Sequence, residues 1–336
     1  MINCAIVGLG RWGRTLVDAS RSSAHLNVIR AVEPDRELVQ AFCREGGFAL
    51  DDSYEAVLAD DAIDAVLLAT PHSLHKSQVI AAAAARKQVF CEKPLALRRE
   101  HAAQMFAACR EAGVSLAVGH NRRFWPSMQA LREIVASEEL GVILHVEGNN
   151  SNENSQSVLK GWRLSPAESP GGGLTGAGLH VLDAFISLLG PARQVHARLN
   201  SREKGPPPLD STLLSIDFAN GVTGSLATVR ATQFYWRVHV FGTRGSAEVL
   251  DDVTMVLRRS GREPQKMGYP KTDSVVAELD AFTDAIKGKR PFPVTADEVL
   301  ATLSAFEAAL ESIKSGQPVF CNKELHAGRN CEKRDL

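Results

Sequence analysis

The sequence has almost no excess charge of either sign. Across 336 residues, 38 basic side chains face 39 acidic ones, for a formal net charge of −1. That balance gives no long-range pull toward nucleic acid or an acidic membrane surface, and no basic cluster of the kind nucleic-acid binders carry stands out. Long hydrophobic runs are also lacking. Stretches such as 65–69 and 81–85 fall far short of the roughly 20 apolar residues that span a bilayer. The first residues, Met1-Ile2-Asn3-Cys4-Ala5, have no basic region and do not read as a signal peptide. Cysteine is sparse: Cys4, Cys43, Cys91, Cys109, Cys321 and Cys331 are scattered with no Cys-x-x-Cys. A disulfide framework or zinc ribbon is therefore not expected, and a reducing cytoplasm is the expected location. Neither a nucleic acid nor a membrane is expected as a partner.

What is present is an ordinary apolar content of 44% and enough chain for two domains at about 150 residues each. Up to residue 118, continuous apolar runs at 2–7, 26–32, 65–69, 88–91 and 115–118 alternate with helical patterns at 11–21, 35–44, 54–59, 74–85 and 99–112. Continuous apolar strands separated by helices predict a parallel sheet buried on both faces, with its ligand at the carboxyl ends of the strands. Beyond residue 120, longer alternating strands at 142–147, 195–199, 212–218, 223–230, 234–241 and 247–250 predict an antiparallel sheet. Turn signals such as Asn220-Gly221 and Arg244-Gly245 punctuate them, and helices follow at 274–287 and 296–315. Gly205-Pro206-Pro207-Pro208 reads as a stiff surface loop, and the charged end from about residue 322 as a loose tail.

Gly8-Leu9-Gly10-Arg11-Trp12-Gly13 follows the first strand and opens the first helix. An acidic residue, Glu33, stands 20 positions beyond Gly13 at the end of the second strand. This is the full dinucleotide fingerprint: the glycines let backbone N–H groups approach a pyrophosphate, and the helix end adds its positive dipole. A carboxylate at Glu33 suits both ribose hydroxyls and repels a 2′-phosphate, so NAD is expected, while nearby Arg36 leaves NADP open. Thr70-Pro71-His72-Ser73-Leu74-His75 and Cys91-Glu92-Lys93-Pro94 each end a predicted strand. A lysine held there is a natural proton carrier, because burial or a neighbouring cation lowers its pKa. The histidine pair lacks a third ligand, so no metal is expected.

In this order and spacing, the GxGxxG, the Thr-Pro-x-x-x-His and the Glu-Lys-Pro resemble the Gfo/Idh/MocA family, the glucose–fructose oxidoreductase, inositol dehydrogenase and rhizopine-catabolism group. The resemblance runs from Ile2 to about Val319. It implies an α/β Rossmann domain plus an α+β C-terminal domain with a large, mostly antiparallel open sheet. The corresponding boundaries are 1–120 for NAD(P) binding, 121–319 for substrate binding and oligomerisation, and 320–336 for a loose tail. It further implies hydride transfer between a nicotinamide and a hydroxyl-bearing carbon of a sugar, cyclitol or related polyol, in a homodimer or homotetramer built through the C-terminal sheet.

By position, the resemblance makes Lys93 and His180 the catalytic pair. It assigns the cofactor to Gly8, Gly10, Arg11, Trp12, Gly13, Glu33, Thr70, Pro71, His75, Glu92 and Lys93. Toward the substrate it places Arg122 or Arg123, from the segment Gly119-His120-Asn121-Arg122-Arg123-Phe124, together with Trp162, Arg163 and Asp183. The segment Gly171–His180 departs from the pattern. Many relatives have an aspartate four positions before the histidine, where this chain has Gly176. Either the glycine enlarges the pocket while Lys93 and His180 do the chemistry, or catalysis is weakened and the protein serves as a dinucleotide-binding sensor. An NAD-assisted glycoside hydrolase is a further alternative. Asparagines 149, 150, 152 and 154 are candidate hydroxyl binders within an asparagine-rich loop.

Overall fold

The computed structural model describes residues 1–152, 161–202 and 209–321. Asn154, the 205–208 loop and the tail from 322 lie outside the described residues. In the first half, β1 (Ile2–Val7), β2 (Leu26–Val32), β3 (Ala49–Leu50), β4 (Ala65–Leu68), β5 (Gln88–Glu92) and β6 (Leu116–Gly119) form one parallel sheet in the order β3-β2-β1-β4-β5-β6. Its central strands are apolar because both faces are covered: every residue of β4 is fully buried. Helices α1 (Arg11–Ser22), α2 (Arg36–Gly46), α3 (Tyr54–Ala59), α4 (His72–Ala84) and α5 (Arg99–Ala112) connect the strands. The strand order reverses between β1 and β4, so a crevice opens above the carboxyl ends of those two strands.

A 3-10 turn at Asn121–Phe124 and α6 (Pro126–Ala136) lead into the second sheet. Its strands are β7 (Ile143–Ser151), β8 (Ala192–Ser201), β9 (Asp210–Phe218), β10 (Thr223–Val229), β11 (Tyr235–Gly242), β12 (Gly245–Val249), β13 (Thr254–Arg259), β14 (Gln265–Gly268) and β15 (Val319–Phe320). They run in the order β14-β13-β12-β11-β7-β10-β9-β8-β15, antiparallel throughout except where β10 lies parallel to β7. Alternate residues of β9 and β10 point into the core formed with α7 (Leu179–Leu189), and the rest point outward. The outward face leaves Leu213, Val229 and Tyr235 exposed.

The C-terminal helices return to the first sheet. From α8 (Ser274–Ile286), Val275, Leu279 and Phe282 enter the core that holds Ile6, Leu16 and Phe90. α9 (Ala296–Ser315) begins with a capping box between Thr295 and Glu298 and spans both cores: Val299 and Leu303 join the first, Phe306 and Ala309 the second. The sequence pattern places these helices after the second sheet but carries no sign of which core they enter.

Four strands escape the sequence pattern. β3 and β15 have two residues each, β14 is mostly exposed, and β13 buries only Met255 and Leu257, so none shows a long apolar alternation. β15 pairs with β8, and Cys321 N–H donates to the Arg193 carbonyl, so residues 320 and 321 of the expected loose tail are held against β8.

Candidate active site

The glycine turn is built for close approach. Gly8 sits at φ 90°, and a Cβ there would lie 2.8 Å from the Ala69 carbonyl oxygen. A Cβ on Gly13 would overlap the Gly8 carbonyl. Glu33 braces this turn from the end of β2: its Oε2 accepts from Leu9 N–H at 2.7 Å. Arg14 braces it from below, its Nε donating to the Leu9 carbonyl at 3.2 Å. No side chain caps the N-terminus of α1, so its first N–H groups remain available to an anion. Glu33, Gly10, Arg11 and Arg14 line a hollow beside the turn. These residues fit the pyrophosphate and adenosine ribose of a dinucleotide. Arg36 points elsewhere, donating to the Asp51 carbonyl and pairing with Asp52 at 2.8 Å.

A larger cavity of about 330 Å³ opens between the two halves, reached by Arg11, Trp12, Thr70 and Lys93 from one side and by Arg122, Trp162 and His180 from the other. Lys93 crosses it: its Nζ donates to the Gly176 carbonyl at 2.6 Å. Burial lowers the Lys93 pKa against the pull of Glu92, and Arg122, Arg163 and Arg11 lower it further. Burial pushes its neighbour Glu92 the other way, above the usual carboxylate range. His75 is wholly buried, with Nδ1 at 3.0 Å from the Pro94 carbonyl and Nε2 at 3.1 Å from that of Thr70. It therefore ties the loop after β4 to the loop after β5, which holds Lys93 in place. Thr70 donates to Gln78 at 2.6 Å, while Pro71 precedes α4 without lining the cavity.

From the second half, the 3-10 turn Gly161–Leu164 lies against α4. Trp162 packs edge-on to His72 at 4.9 Å, and the Arg163 guanidinium lies over the Trp162 ring at 4.1 Å. Glu168 accepts from Ser73 N–H at the start of α4, so this segment closes one side of the cavity. His180 also lines the cavity. Burial, with Lys93, Arg122 and His120 adding, holds its ring well below the usual histidine value, and the imidazole is neutral. His72 and His75 turn their nitrogens to backbone carbonyls, and no group of three metal-ligating side chains occurs among the described residues.

The two consecutive arginines have different fates. Arg122 lines the cavity. Arg123 turns away into a bidentate pair with Asp183, at 2.6 and 2.7 Å, and a further bond to Glu298 at 2.8 Å. Burial alone would raise the Asp183 pKa, but Arg123 and His120 outweigh it and hold the carboxyl below its ordinary value. Arg123 and Asp183 thus stand outside the cavity, joining the Asn121–Phe124 turn, α7 and α9. His120 lies between this pair and the site, its Nδ1 at 3.4 Å from Asp183 and its ring 6.3 Å from that of His180.

Trp125, Thr175, Arg230 and His120 also belong to the site or its support and were not singled out by residue pattern. Trp125 and Arg230 come from unremarkable helix and strand stretches, and only the fold brings them to the cavity. Arg230 is held by Asp210. Asn150 and Asn152 do line the cavity, and Asn150 donates to the Ala177 carbonyl at 2.8 Å.

Gly176 lies in a single π-helical turn, Leu174–Gly178, just before α7, and no atom lies within 4 Å of where its Cβ would stand. The glycine therefore leaves real space beside Lys93. Gly176→Asp should fold with unchanged thermal stability and place a carboxylate near the ammonium. The pH at which Lys93-dependent activity rises should then move upward by about one unit. Activity–pH profiles of the two proteins check this; an unshifted profile would mean the new carboxylate does not reach Lys93.

Residues 2–120 match the model of an oxidoreductase family with an NAD-binding Rossmann fold, and residues 128–248 match that of the GFO/IDH/MocA C-terminal domain. A 2,7-anhydro-N-acetylneuraminate hydratase of Escherichia coli is 33% identical over 74% of this chain and 68% of its own. A D-xylose 1-dehydrogenase (NADP(+)) of Haloferax volcanii is 31% identical over 80% of this chain and 83% of its own. The scyllo-inositol 2-dehydrogenase (NAD(+)) of Bacillus subtilis is 28% identical over 95% and 96%. Among solved structures, levoglucosan dehydrogenase in complex with NADH and levoglucosan superposes with a TM-score of 0.87 at 23% identity, covering 96% of this chain and all of that one.

Proposed function

On the premise that the chain belongs to the Gfo/Idh/MocA family of NAD(P)-dependent oxidoreductases acting on sugars and polyols, we propose that it oxidises a CH–OH carbon of a sugar, cyclitol or related polyol, or reduces the matching carbonyl, with Lys93 and His180 carrying the proton chemistry. The observation behind this reading is the convergence of Lys93 and neutral His180 on one cavity beside the glycine turn. The dinucleotide, when bound, accepts or supplies the hydride. Lys93, its pKa lowered by burial, takes the hydroxyl proton in oxidation and returns it in reduction. His180 hydrogen-bonds the same oxygen and fixes its position.

The unit 1–120 serves the dinucleotide, and 121–319 supplies the substrate end, with α8 packed back on the first core. Glu33 supports NAD over NADP, since its carboxylate stands where a 2′-phosphate would be repelled and Arg36 is engaged elsewhere. The exposed apolar residues on the outer face of the second sheet support a homodimer or homotetramer formed through that face. Cys4, Cys43, Cys91 and Cys109 are free and buried, which supports the reducing cytoplasm as location. Among the described residues no helix is long and apolar enough to cross a membrane.

The test is reduction of NAD and NADP over a panel of sugars and cyclitols at rising pH. Oxidation requires neutral Lys93, so the rate should climb with pH and do so below the range of an ordinary lysine, near 10.4; NAD should be preferred. Bound dinucleotide with no turnover on any polyol would instead support a non-catalytic sensor. Product formation without net change in NADH absorbance would support an NAD-assisted hydrolase.

A further inference from the structure

We propose that the substrate is an anionic polyol, a sugar or cyclitol acid whose carboxylate pairs with Arg122 at the end of the cavity away from the glycine turn. This rests on the oxidoreductase reading above and narrows its substrate class.

Arg122 is the cation of the cavity with a buried nitrogen that has nothing to hold, among the described residues. Its guanidinium lies 4.4 Å from the Trp125 ring and 4.5 Å from that of Trp236, with Phe234 at 5.5 Å. Among the described residues its side chain makes no hydrogen bond and no ion pair, and Nη1 is buried without a partner. The next residue shows the contrast, because Arg123 is saturated by two carboxylates. Asp252 is near enough to act on Arg122 through space, but it pairs with Lys271 at 3.9 Å.

The other cations of the cavity differ. Arg230 is held by Asp210. Arg11 and Arg163 make no side-chain hydrogen bond or ion pair among the described residues either, but Arg11 is exposed in the glycine turn. Arg163 stacks on Trp162 with Glu92 acting on it through space, and it has no buried unpaired nitrogen. Lys93 is neutral when it acts as base. Glu92 is the one acidic side chain lining the cavity among the described residues. A substrate bound beside Lys93 and His180 therefore meets a fixed, desolvated positive charge.

The two indole rings offset part of the cost of burying a cation, but they satisfy none of its five N–H donors. A sugar hydroxyl would accept one of them and leave the charge uncompensated. A carboxylate accepts two in parallel and neutralises the guanidinium. The space at Gly176 gives room for a substituent near the reacting carbon.

The experiment compares acid and neutral partners of similar shape, D-glucuronate with D-glucose and D-gluconate with D-glucitol, by kcat/KM at saturating NAD. The same compounds are titrated calorimetrically into the NADH-loaded enzyme. Wild type should prefer the acid by about ten- to hundredfold, the usual weight of a charge-assisted pair. Arg122→Met, which keeps an apolar stem against the tryptophans, should remove that preference by raising KM for the acids at least about tenfold more than for the neutral partners. A change common to both classes reports the loss of the Arg122 charge beside Lys93 and His180. Equal kcat/KM for acid and neutral partners in the wild type, or an equal loss on both in Arg122→Met, would overturn the proposal and leave the oxidoreductase reading intact. If no compound is turned over, the oxidoreductase reading is in question and the calorimetry decides this one: Arg122-dependent binding of the acids supports it, and binding blind to charge refutes it.

Discussion

Lys93→Met is expected to lower kcat for polyol oxidation by about 10²- to 10⁴-fold, the range that a positioned general base supplies, with dinucleotide affinity held within a few-fold. The two effects separate because Lys93 reaches away from the glycine turn to the Gly176 carbonyl, while the pyrophosphate is left to backbone N–H groups of the turn and α1. Methionine keeps the length and packing of the lysine stem, so the loss reports the ammonium and not a collapsed cavity. The residual rate should also lose its rise with pH. Lys93→Arg makes a useful partner: arginine keeps the positive charge but does not deprotonate in the working range, so it should be nearly as inactive. Stopped-flow hydride transfer and NADH titration read the two quantities. Turnover within about tenfold of wild type in Lys93→Met would remove Lys93 from the role of base.

Asp183→Ala should act on stability and not on the reacting atoms. Asp183 is 2% exposed and neutralises Arg123 through two hydrogen bonds, with His120 at 3.4 Å. Removing it leaves the buried Arg123 with Glu298 alone, and breaking such a pair costs about 3–5 kcal/mol. Urea unfolding should show a lowered midpoint which, multiplied by an unchanged slope, gives a loss of that size. The sign with pH follows from the depressed folded-state pKa of Asp183. Its contribution is fully present above the ordinary carboxylate range and is lost as the pH falls through the lowered value. Wild type and Asp183→Ala should therefore converge in stability only in acid. A gap that persisted unchanged to strongly acidic pH would mean that Asp183 acts by packing and not by charge.

The first sheet and the glycine turn were legible because each is encoded by contiguous residues. A strand, a glycine turn and a helix occupy residues 2–22 without interruption, and Glu33 ends the next strand. Lys93 was legible for the same reason, following β5 by one residue. The second sheet was readable wherever burial alternated, as in β9, and unreadable in β14 and β15, where exposure or brevity leaves no period. The return of α8 to the first core was hidden because an apolar helix face does not name its partner.

Among the site residues, Arg122 and Arg123 show the limit most clearly. They are adjacent and chemically identical, and no local rule separates them. The sequence by itself determined the β–turn–α fingerprint, the acidic residue that accompanies it, and the positions of a lysine and a histidine able to move a proton. Tertiary structure decided that Arg123 is consumed by Asp183 and Glu298, that Arg122 is left facing the cavity against two indole rings, and that the missing side chain at Gly176 is open space. The physical reason is distance along the chain. A dinucleotide turn is one local unit, whereas the substrate end is assembled from residues 93, 122, 176, 180 and 236, whose charges are paired or left unpaired only when two sheets pack together.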